Sequence, residues 1–208
     1  MLKLYFLPGT CALVPHVALE WSHLDYQAIE ISREEIKSAE YLAMNPQGQV
    51  PLLVDGDWNL SQNLAILDYI NDLVPEQGIF GRDAIKDARV RARARQWIAY
   101  ANSDLHPCFL TIFKANKMID GDEAQKNLIQ KAVANVIKMF APINRRLAQH
   151  HYVAGDNISI ADVYIYVVLR WAEICKIDLS QYEHLPAFYQ RIEADTGVQA
   201  ALKTQNLL

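Results

Sequence analysis

The chain has 208 residues, of which 51% are hydrophobic, and a formal net charge of -4, which suits one large domain or two small ones with real cores. No apolar run approaches the roughly 20 residues of a membrane helix, and the start lacks the basic-then-apolar plan of a secretory signal, so we expect a cytoplasmic protein. The negative charge gives no reason to expect nucleic acid as a partner. The three widely spaced cysteines support neither a disulfide framework nor a metal site.

The first part of the chain predicts an α/β unit. Its β-capable runs and amphipathic stretches follow the order βαβαββα. The predicted strands are Leu2–Leu7, Tyr26–Ile31, Pro51–Val54 and Trp58–Leu60, and the predicted helices are 11–23, Arg33–Ala43 and 62–73. Asp55-Gly56-Asp57, between the last two strands, is a strong hairpin signal. Because a helical crossover makes its two strands parallel and a hairpin makes its strands antiparallel, we expect a small mixed sheet covered by helices.

The charge and the pattern both change near residue 75. Up to that point the chain has 3 basic and 10 acidic residues, a net of -7, whereas the remainder has 17 basic and 14 acidic residues, a net of +3. Proline and glycine cluster at the junction, as is typical of a linker. We therefore predict one domain over 1–74, a linker over 75–82 and a second domain over 83–208.

The second domain reads as one helix after another, with helical patterns over 83–115, 122–149, 159–174 and 185–203. The segment Val163–Val168 has the β-branched and aromatic residues that favour a strand. However, Ser159 and Asp162 have the spacing of a helix N-cap and an acidic residue three positions later. Arg170, near the far end, suits the helix dipole. We therefore predict a buried central helix over 159–174, apolar on every side.

Cys11 follows the Pro8-Gly9 pair, where the first strand gives way to a helix. A thiol at a helix N-terminus lies near free N–H groups and the positive end of the dipole, which lowers its pKa and favours the thiolate. Alternatively, Cys11 is a small buried apolar residue. No second cysteine lies nearby, and Pro15 stands where a resolving cysteine could have followed. Redox chemistry at Cys11 would therefore need a small external thiol as its partner.

Two further stretches have the residue types of a peptide-binding site. In the loop Asn45–Pro51, a cis Val50-Pro51 bond would turn the Val50 backbone N–H and C=O into a groove, where they could pair with an extended peptide. Gln62 and Asn63 lie at a predicted helix N-terminus, where free N–H groups and amide side chains can hold a carboxylate. Taken singly, an ordinary tight loop and a simple helix cap are the alternatives.

Together these stretches resemble the soluble glutathione transferases over essentially the whole chain, and most closely their bacterial beta class. The resemblance implies a thioredoxin-like N-terminal domain with a four-stranded sheet that binds glutathione, an all-helical C-terminal domain and a homodimer. It also implies a mainly structural role for Ser159 and Asp162, as a buried capping box. The shared features are Pro8-Gly9-Thr10-Cys11, the loop from Asn45 to Pro51, the segment Ser61-Gln62-Asn63-x-Ala65-Ile66, and Ser159-Ile160-Ala161-Asp162 followed by Leu169-Arg170-Trp171.

The resemblance further implies roles for individual residues. Cys11 would lie beside the glutathione sulfur and could form a mixed disulfide with it. His106 would reach the same place from the helical domain. Gln49, Val50 and Pro51 would hold the peptide, with the Val50 backbone pairing to its cysteinyl part.

The residues expected to bind the two ends of glutathione match the family pattern less closely. Gln62 and Asn63 replace the acid and serine that the family usually places at the γ-glutamyl group. An uncharged Gln62 loses the charge-assisted contact to the ammonium, which is stronger than a neutral hydrogen bond. For the glycyl carboxylate, the spacing leaves Lys37 and Arg33 as alternative partners.

We therefore predict a glutathione transferase that conjugates glutathione to electrophilic, hydrophobic co-substrates, as in detoxification. A second enzymatic possibility is thiol–disulfide exchange or peroxide reduction, in which Cys11 itself becomes glutathionylated. A non-catalytic binding or regulatory protein of the same fold is the alternative from another class. The resemblance implies glutathione as a co-substrate, and we expect no other cofactor, no metal and no nucleic-acid or membrane partner. It does not identify the electrophile.

Overall fold

The computed structural model describes residues 1–208 and begins with an α/β unit. The strand order is β2-β1-β3-β4, in which β1 is parallel to β2 and antiparallel to β3, and β3 is antiparallel to β4. The predicted mixed four-stranded sheet is therefore confirmed. The strands are β1 (Leu2–Phe6), β2 (Tyr26–Glu30), β3 (Leu52–Asp55) and β4 (Trp58–Ser61), and the helices are α1 (Leu13–Ser22), α2 (Ala39–Met44) and α3 (Asn63–Leu73).

Successive side chains of β1 point to opposite faces of the sheet and therefore pack against different helices. Leu2 and Leu4 are buried in the same core cluster as apolar residues of α1 and α3. Tyr5 points to the opposite face, where its ring lies 5.9 Å from that of Tyr41 between centroids. A smaller hydrophobic cluster surrounds Tyr41 of α2 on that face. The sheet is thus covered on both sides, with the larger core on the side of α1 and α3.

The remainder of the chain is helical, and α7 is its central element. The segment Ile160–Ile174 is helical, and 12 of its 15 residues are buried. The prediction of a buried helix rather than a strand over 159–174 is therefore confirmed.

No helix of the chain is both long enough and apolar enough to cross a membrane. The predicted domain limits, 1–74 and 83–208, stay a prediction. The helices are α4 (Ala88–Ala99), α5 (His106–Met118), α6 (Asp122–Leu147), α7 (Ile160–Ile174), α8 (Leu185–Glu193) and α9 (Thr196–Thr204), and a π-helical turn, Tyr100–Leu105, joins α4 to α5.

Ser159 and Asp162 fix the start of α7 as a capping box. The Asp162 carboxylate accepts hydrogen bonds from the Ser159 backbone N–H at 2.9 Å, from the Ser159 hydroxyl at 2.6 Å and from the Val153 N–H at 2.8 Å. Burial raises the pKa of Asp162 to about 6. The box therefore satisfies donors that burial would otherwise leave without partners.

The structure divides three of the predicted helices, namely Arg33–Ala43, 83–115 and 185–203. At each break one residue is extended, and its side chain accepts a hydrogen bond from a backbone N–H of the following helix. These residues are Ser38 before α2, Asp87 before α4 and Asp195 before α9. Short polar side chains compete with the helix for backbone donors, and so favour caps over helix interiors. The predicted helical stretches are therefore helical, but each is interrupted at one of these caps.

The capping box gives a prediction about stability. Ser159→Ala removes the buried cap and should lower the free energy of unfolding by about 0.5–2 kcal/mol. Ser180→Ala, at an exposed position, is the matched control and should change that free energy by less than about 0.5 kcal/mol. Urea unfolding followed by circular dichroism measures both. Equal stability of the two variants would contradict the capping role.

Candidate active site

A cleft of about 540 Å³ lies between the α/β unit and the helical part of the chain. One wall consists of the turn between β1 and α1, the loop before β3 and the start of α3. The other wall consists of α5 and Trp171 of α7. A cleft of this size, in which apolar side chains lie beside convergent polar groups, is typical of a small-molecule site.

Cys11 lies on the first wall, where its thiol donates a hydrogen bond to the Val50 carbonyl oxygen at 3.9 Å. Helix α1 begins at Leu13 rather than at Cys11. The next two N–H groups have partners within the chain, because Ala12 donates to the Thr10 hydroxyl and Leu13 to the Thr10 carbonyl. The backbone N–H of Cys11 itself is the donor in this turn that lowers the pKa of the thiol.

Burial raises the pKa of the Cys11 thiol to about 11, and hydrogen bonds from Asn63 and Tyr164 offset only part of that rise. The prediction of a lowered pKa is therefore wrong, because the cost of burying an anion exceeds the effect of the nearby helix terminus. At neutral pH Cys11 is a protonated thiol, which can donate a hydrogen bond to an anionic sulfur.

The loop before β3 presents backbone groups to the cleft. The Val50-Pro51 peptide bond is cis, as predicted. The Gln49 carbonyl is held by the Tyr41 hydroxyl at 2.8 Å and by the Asn45 side-chain amide at 2.7 Å. The Val50 N–H has no hydrogen-bond partner within the chain. An extended peptide therefore finds a free donor here beside the Val50 carbonyl.

Gln62 and Asn63 lie at the start of α3, but their side chains point in different directions. Gln62 has a left-handed φ of 75°, and its amide donates to the side-chain oxygen of Gln47 at 3.0 Å. Asn63 is buried and donates to the Tyr164 hydroxyl at 3.4 Å, which leaves its own side-chain oxygen without a partner. No side chain caps α3, so its first N–H groups are available to an anion.

His106 reaches the cleft from the first turn of α5. Its Nδ1 lies 3.1 Å from the Tyr164 hydroxyl, and its ring lies 4.7 Å from that of Trp171 between centroids. Burial and, to a smaller extent, the positive charge of Lys114 lower the pKa of His106 to about 4. His106 is therefore a neutral imidazole at physiological pH.

Two family models match the chain. The model described as "Glutathione S-transferase, N-terminal domain" matches residues 1–72, and the model described as "Glutathione S-transferase, C-terminal domain" matches residues 101–195. The chain belongs to the glutathione S-transferase family. The resemblance seen in the sequence is confirmed, and the match runs through both walls of the cleft.

Individual transferases agree with this assignment over the full length of the chain. The glutathione S-transferase GST-4.5 of Xanthomonas campestris pv. campestris is 39% identical over 99% of this chain and 100% of its own length. The structure of a beta class glutathione S-transferase from Sphingomonas chungbukensis has a TM-score of 0.84 at 32% identity. A sphingomonad glutathione S-transferase solved in complex with glutathione has a TM-score of 0.83 at 32% identity. Each comparison covers 99% of this chain and 100% of the other structure.

Seven of the eight predicted site residues of this transferase line one cleft. Lys37 does not line it; it ends a 3-10 turn, Glu35–Lys37. Arg33, the alternative partner for a glycyl carboxylate, does line the cleft. The seven residues that come together are Cys11, Gln49, Val50, Pro51, Gln62, Asn63 and His106.

Tyr164 is a site residue of this transferase that sequence reasoning missed. Its hydroxyl donates to the Asn102 side-chain oxygen at 2.7 Å and contacts both Asn63 and His106. It therefore joins the two walls behind Cys11. The sequence does show a tyrosine within a helix predicted to be buried and apolar. Because a buried tyrosine hydroxyl requires a hydrogen-bond partner, this residue could have been proposed as part of a polar site.

The buried Cys11 thiol gives a prediction about reactivity. In the free protein, alkylation of Cys11 by iodoacetamide should keep accelerating as the pH rises above about 9, whereas an ordinary thiol with a pKa of about 8.5 levels off there. Mass spectrometry of the Cys11 peptide measures the rate, and a cysteine-containing model peptide is the control. A plateau of the Cys11 rate near neutral pH would contradict the assignment of a protonated thiol.

Proposed function

We propose that this transferase binds glutathione along the Val50 backbone and conjugates its sulfur to an electrophilic, hydrophobic co-substrate. The observation that carries the proposal is that the Cys11 thiol, the unpaired Val50 N–H and the uncapped start of α3 lie on one wall of one cleft. Glutathione has matching groups: a central thiol, an extended backbone and a terminal carboxylate on the γ-glutamyl end. The sphingomonad neighbour solved with glutathione supports this choice of ligand.

Each part of glutathione has a suitable partner in the cleft. The Val50 N–H and C=O pair with the cysteinyl backbone as a neighbouring strand would. The first N–H groups of α3 receive the γ-glutamyl carboxylate, and the Gln62 side chain accepts from the ammonium. Arg33 receives the glycyl carboxylate. These contacts bring the glutathione sulfur next to Cys11.

The Cys11 S–H, which donates to the Val50 carbonyl in the free protein, then turns to donate to the glutathione thiolate. The proton of the glutathione thiol goes to solvent, the sulfur lone pair forms a bond to the electrophilic carbon, and the leaving group departs with its electron pair. A preformed donor in a site that excludes water stabilises such a charge more than water does. The neutral His106 ring and Trp171 form the apolar side of the site next to this sulfur.

Thiol–disulfide exchange at Cys11 is the second candidate reaction. It requires Cys11 itself as a thiolate, and the raised pKa disfavours that state in the free protein. The geometry therefore supports conjugation better. From the family resemblance we also propose that the transferase works in the cytoplasm as a homodimer.

Calorimetric titration and a conjugation assay test the proposed function. Glutathione should bind once per chain, and 1-chloro-2,4-dinitrobenzene should be conjugated. Cys11→Ala should lower kcat/KM at least about tenfold, because hydrogen bonds to charged groups contribute about 1.5–3 kcal/mol. Cys175→Ala, outside the cleft, is the matched control and should retain activity. Absence of glutathione binding, or equal activity of both variants, would overturn the proposal.

The missing acid at position 62 gives a further prediction. Gln62→Glu should tighten glutathione binding by on the order of 1 kcal/mol, the difference between a neutral and a charged hydrogen bond. Gln181→Glu, at an exposed position, adds the same charge elsewhere and should leave the affinity unchanged. Isothermal titration measures both variants. Unchanged or weaker binding by Gln62→Glu would show that another group already neutralises the ammonium.

A further inference from the structure

The charged side chains that line the cleft are all positive. They are Arg33 from the α/β unit and Lys114 and Lys117 from α5, and no aspartate or glutamate lines the cleft with them. The chain as a whole is negatively charged, at -4. The cleft is therefore a local positive field on an acidic protein, and such a field selects anionic ligands.

The two lysines come from the second half of α5 and line the same cleft. The cleft residues on this helix are His106, Leu110, Phe113, Lys114 and Lys117, and the helix is kinked at Lys114, where φ is -126° and ψ is 18°. The charge of Lys114 contributes to the lowered pKa of His106, which agrees with a position of this lysine on the His106 side of the cleft.

Apolar side chains lie between His106 and the two lysines. Phe113 is 45% exposed, although its ring lies 6.1 Å from that of Phe109 and 5.9 Å from that of Trp171 between centroids. Leu110 precedes it on the same face. A large apolar side chain left open on a cleft wall is a surface that a flat apolar ligand can cover.

Glutathione does not account for the lysines. Its γ-glutamyl carboxylate is assigned to the start of α3 and its glycyl carboxylate to Arg33, so both of its carboxylates already have partners. Neither Lys114 nor Lys117 forms an ion pair within the chain. Two cations that line one cleft repel each other unless an anion lies between them.

We propose that the co-substrate is an amphipathic anion, an electrophile with an aromatic body and a carboxylate or sulfonate group. The aromatic body covers Leu110 and Phe113, and the anionic group lies between the ammonium groups of Lys114 and Lys117. The reactive carbon then lies on the His106 side, next to the sulfur. This inference rests on the proposed conjugation of glutathione and names the class of electrophile.

A matched pair of probes tests the inference: 4-chloro-3,5-dinitrobenzoate and its methyl ester. In both, the glutathione sulfur forms a bond to the ring carbon that carries chlorine, and chloride leaves with the electron pair of the broken bond. The two probes differ in charge at the opposite end of the ring. Each kcat/KM is divided by the rate constant of the uncatalysed reaction with glutathione, which removes the difference in intrinsic reactivity.

The wild-type enzyme should favour the benzoate over the ester after this correction. Lys114→Gln or Lys117→Gln should each reduce that preference about threefold, and the double variant about tenfold, on the scale of solvent-exposed ion pairs. The corrected rate for the ester should fall less than the corrected rate for the benzoate. Lys114→Arg and Lys117→Arg should keep the preference, and Lys126→Gln, on the exposed surface of α6, is the control for loss of charge alone.

The inference and the proposed function fail in distinguishable ways. Turnover of both probes with no preference for the benzoate, or with a preference that the lysine variants leave unchanged, overturns the inference alone. Absence of calorimetric glutathione binding together with no turnover of 1-chloro-2,4-dinitrobenzene overturns the proposed function. Turnover of 1-chloro-2,4-dinitrobenzene with no reaction of the benzoate also overturns the inference. Glutathione titration of each lysine variant shows whether the rest of the site is intact.

Discussion

The cleft depends on how the helical part of the chain holds the turn that carries Cys11. The Trp171 indole N–H donates to the Gly9 carbonyl at 2.7 Å, while the Gly9 N–H donates to the side-chain oxygen of Gln205 at 3.2 Å. Gln205 is buried and contacts His16 of α1 at 2.9 Å. Both backbone groups of Gly9 are thus bonded to residues from the far end of the sequence. Because Cys11 is two positions later, these bonds fix its turn relative to α7 and the end of α9.

The same close packing determines the chemistry that the site can perform. A buried thiol, a buried histidine and a buried tyrosine are each most stable in their neutral forms, because ionisation in a dry environment is costly. Cys11, His106 and Tyr164 are therefore a set of neutral groups around the place of the sulfur. Neutral groups place no competing anion beside a bound thiolate, and the protonated Cys11 thiol can donate a hydrogen bond to it. This arrangement suits a protein that activates the thiol of its ligand rather than its own.

The sequence predicted the features that depend on local patterns, and it failed where three-dimensional context decides. The mixed sheet follows from alternation and the hairpin signal, and the α7 helix from the spacing of Ser159 and Asp162. The breaks at Ser38 and Asp195 were missed because a general helical pattern does not show which short polar side chain caps a new helix. The pKa of Cys11 was predicted in the wrong direction because its burial is created by residues distant in sequence. The positive wall of α5 was missed for the same reason, since nothing local shows which face of that helix borders the cleft.

The central claim is that the protein stabilises the thiolate of glutathione while Cys11 stays protonated, and the ultraviolet absorbance of the thiolate tests it most directly. Titrating the complex with pH should show a thiolate forming well below the value of about 8.5 that is typical of a free thiol. In Cys11→Ala the thiolate should still form, but at a higher pH, because a hydrogen-bond donor to the sulfur has been lost. Complete loss of the thiolate signal in Cys11→Ala, or a signal in the wild-type protein before glutathione is added, would place the anion on Cys11 and contradict the account.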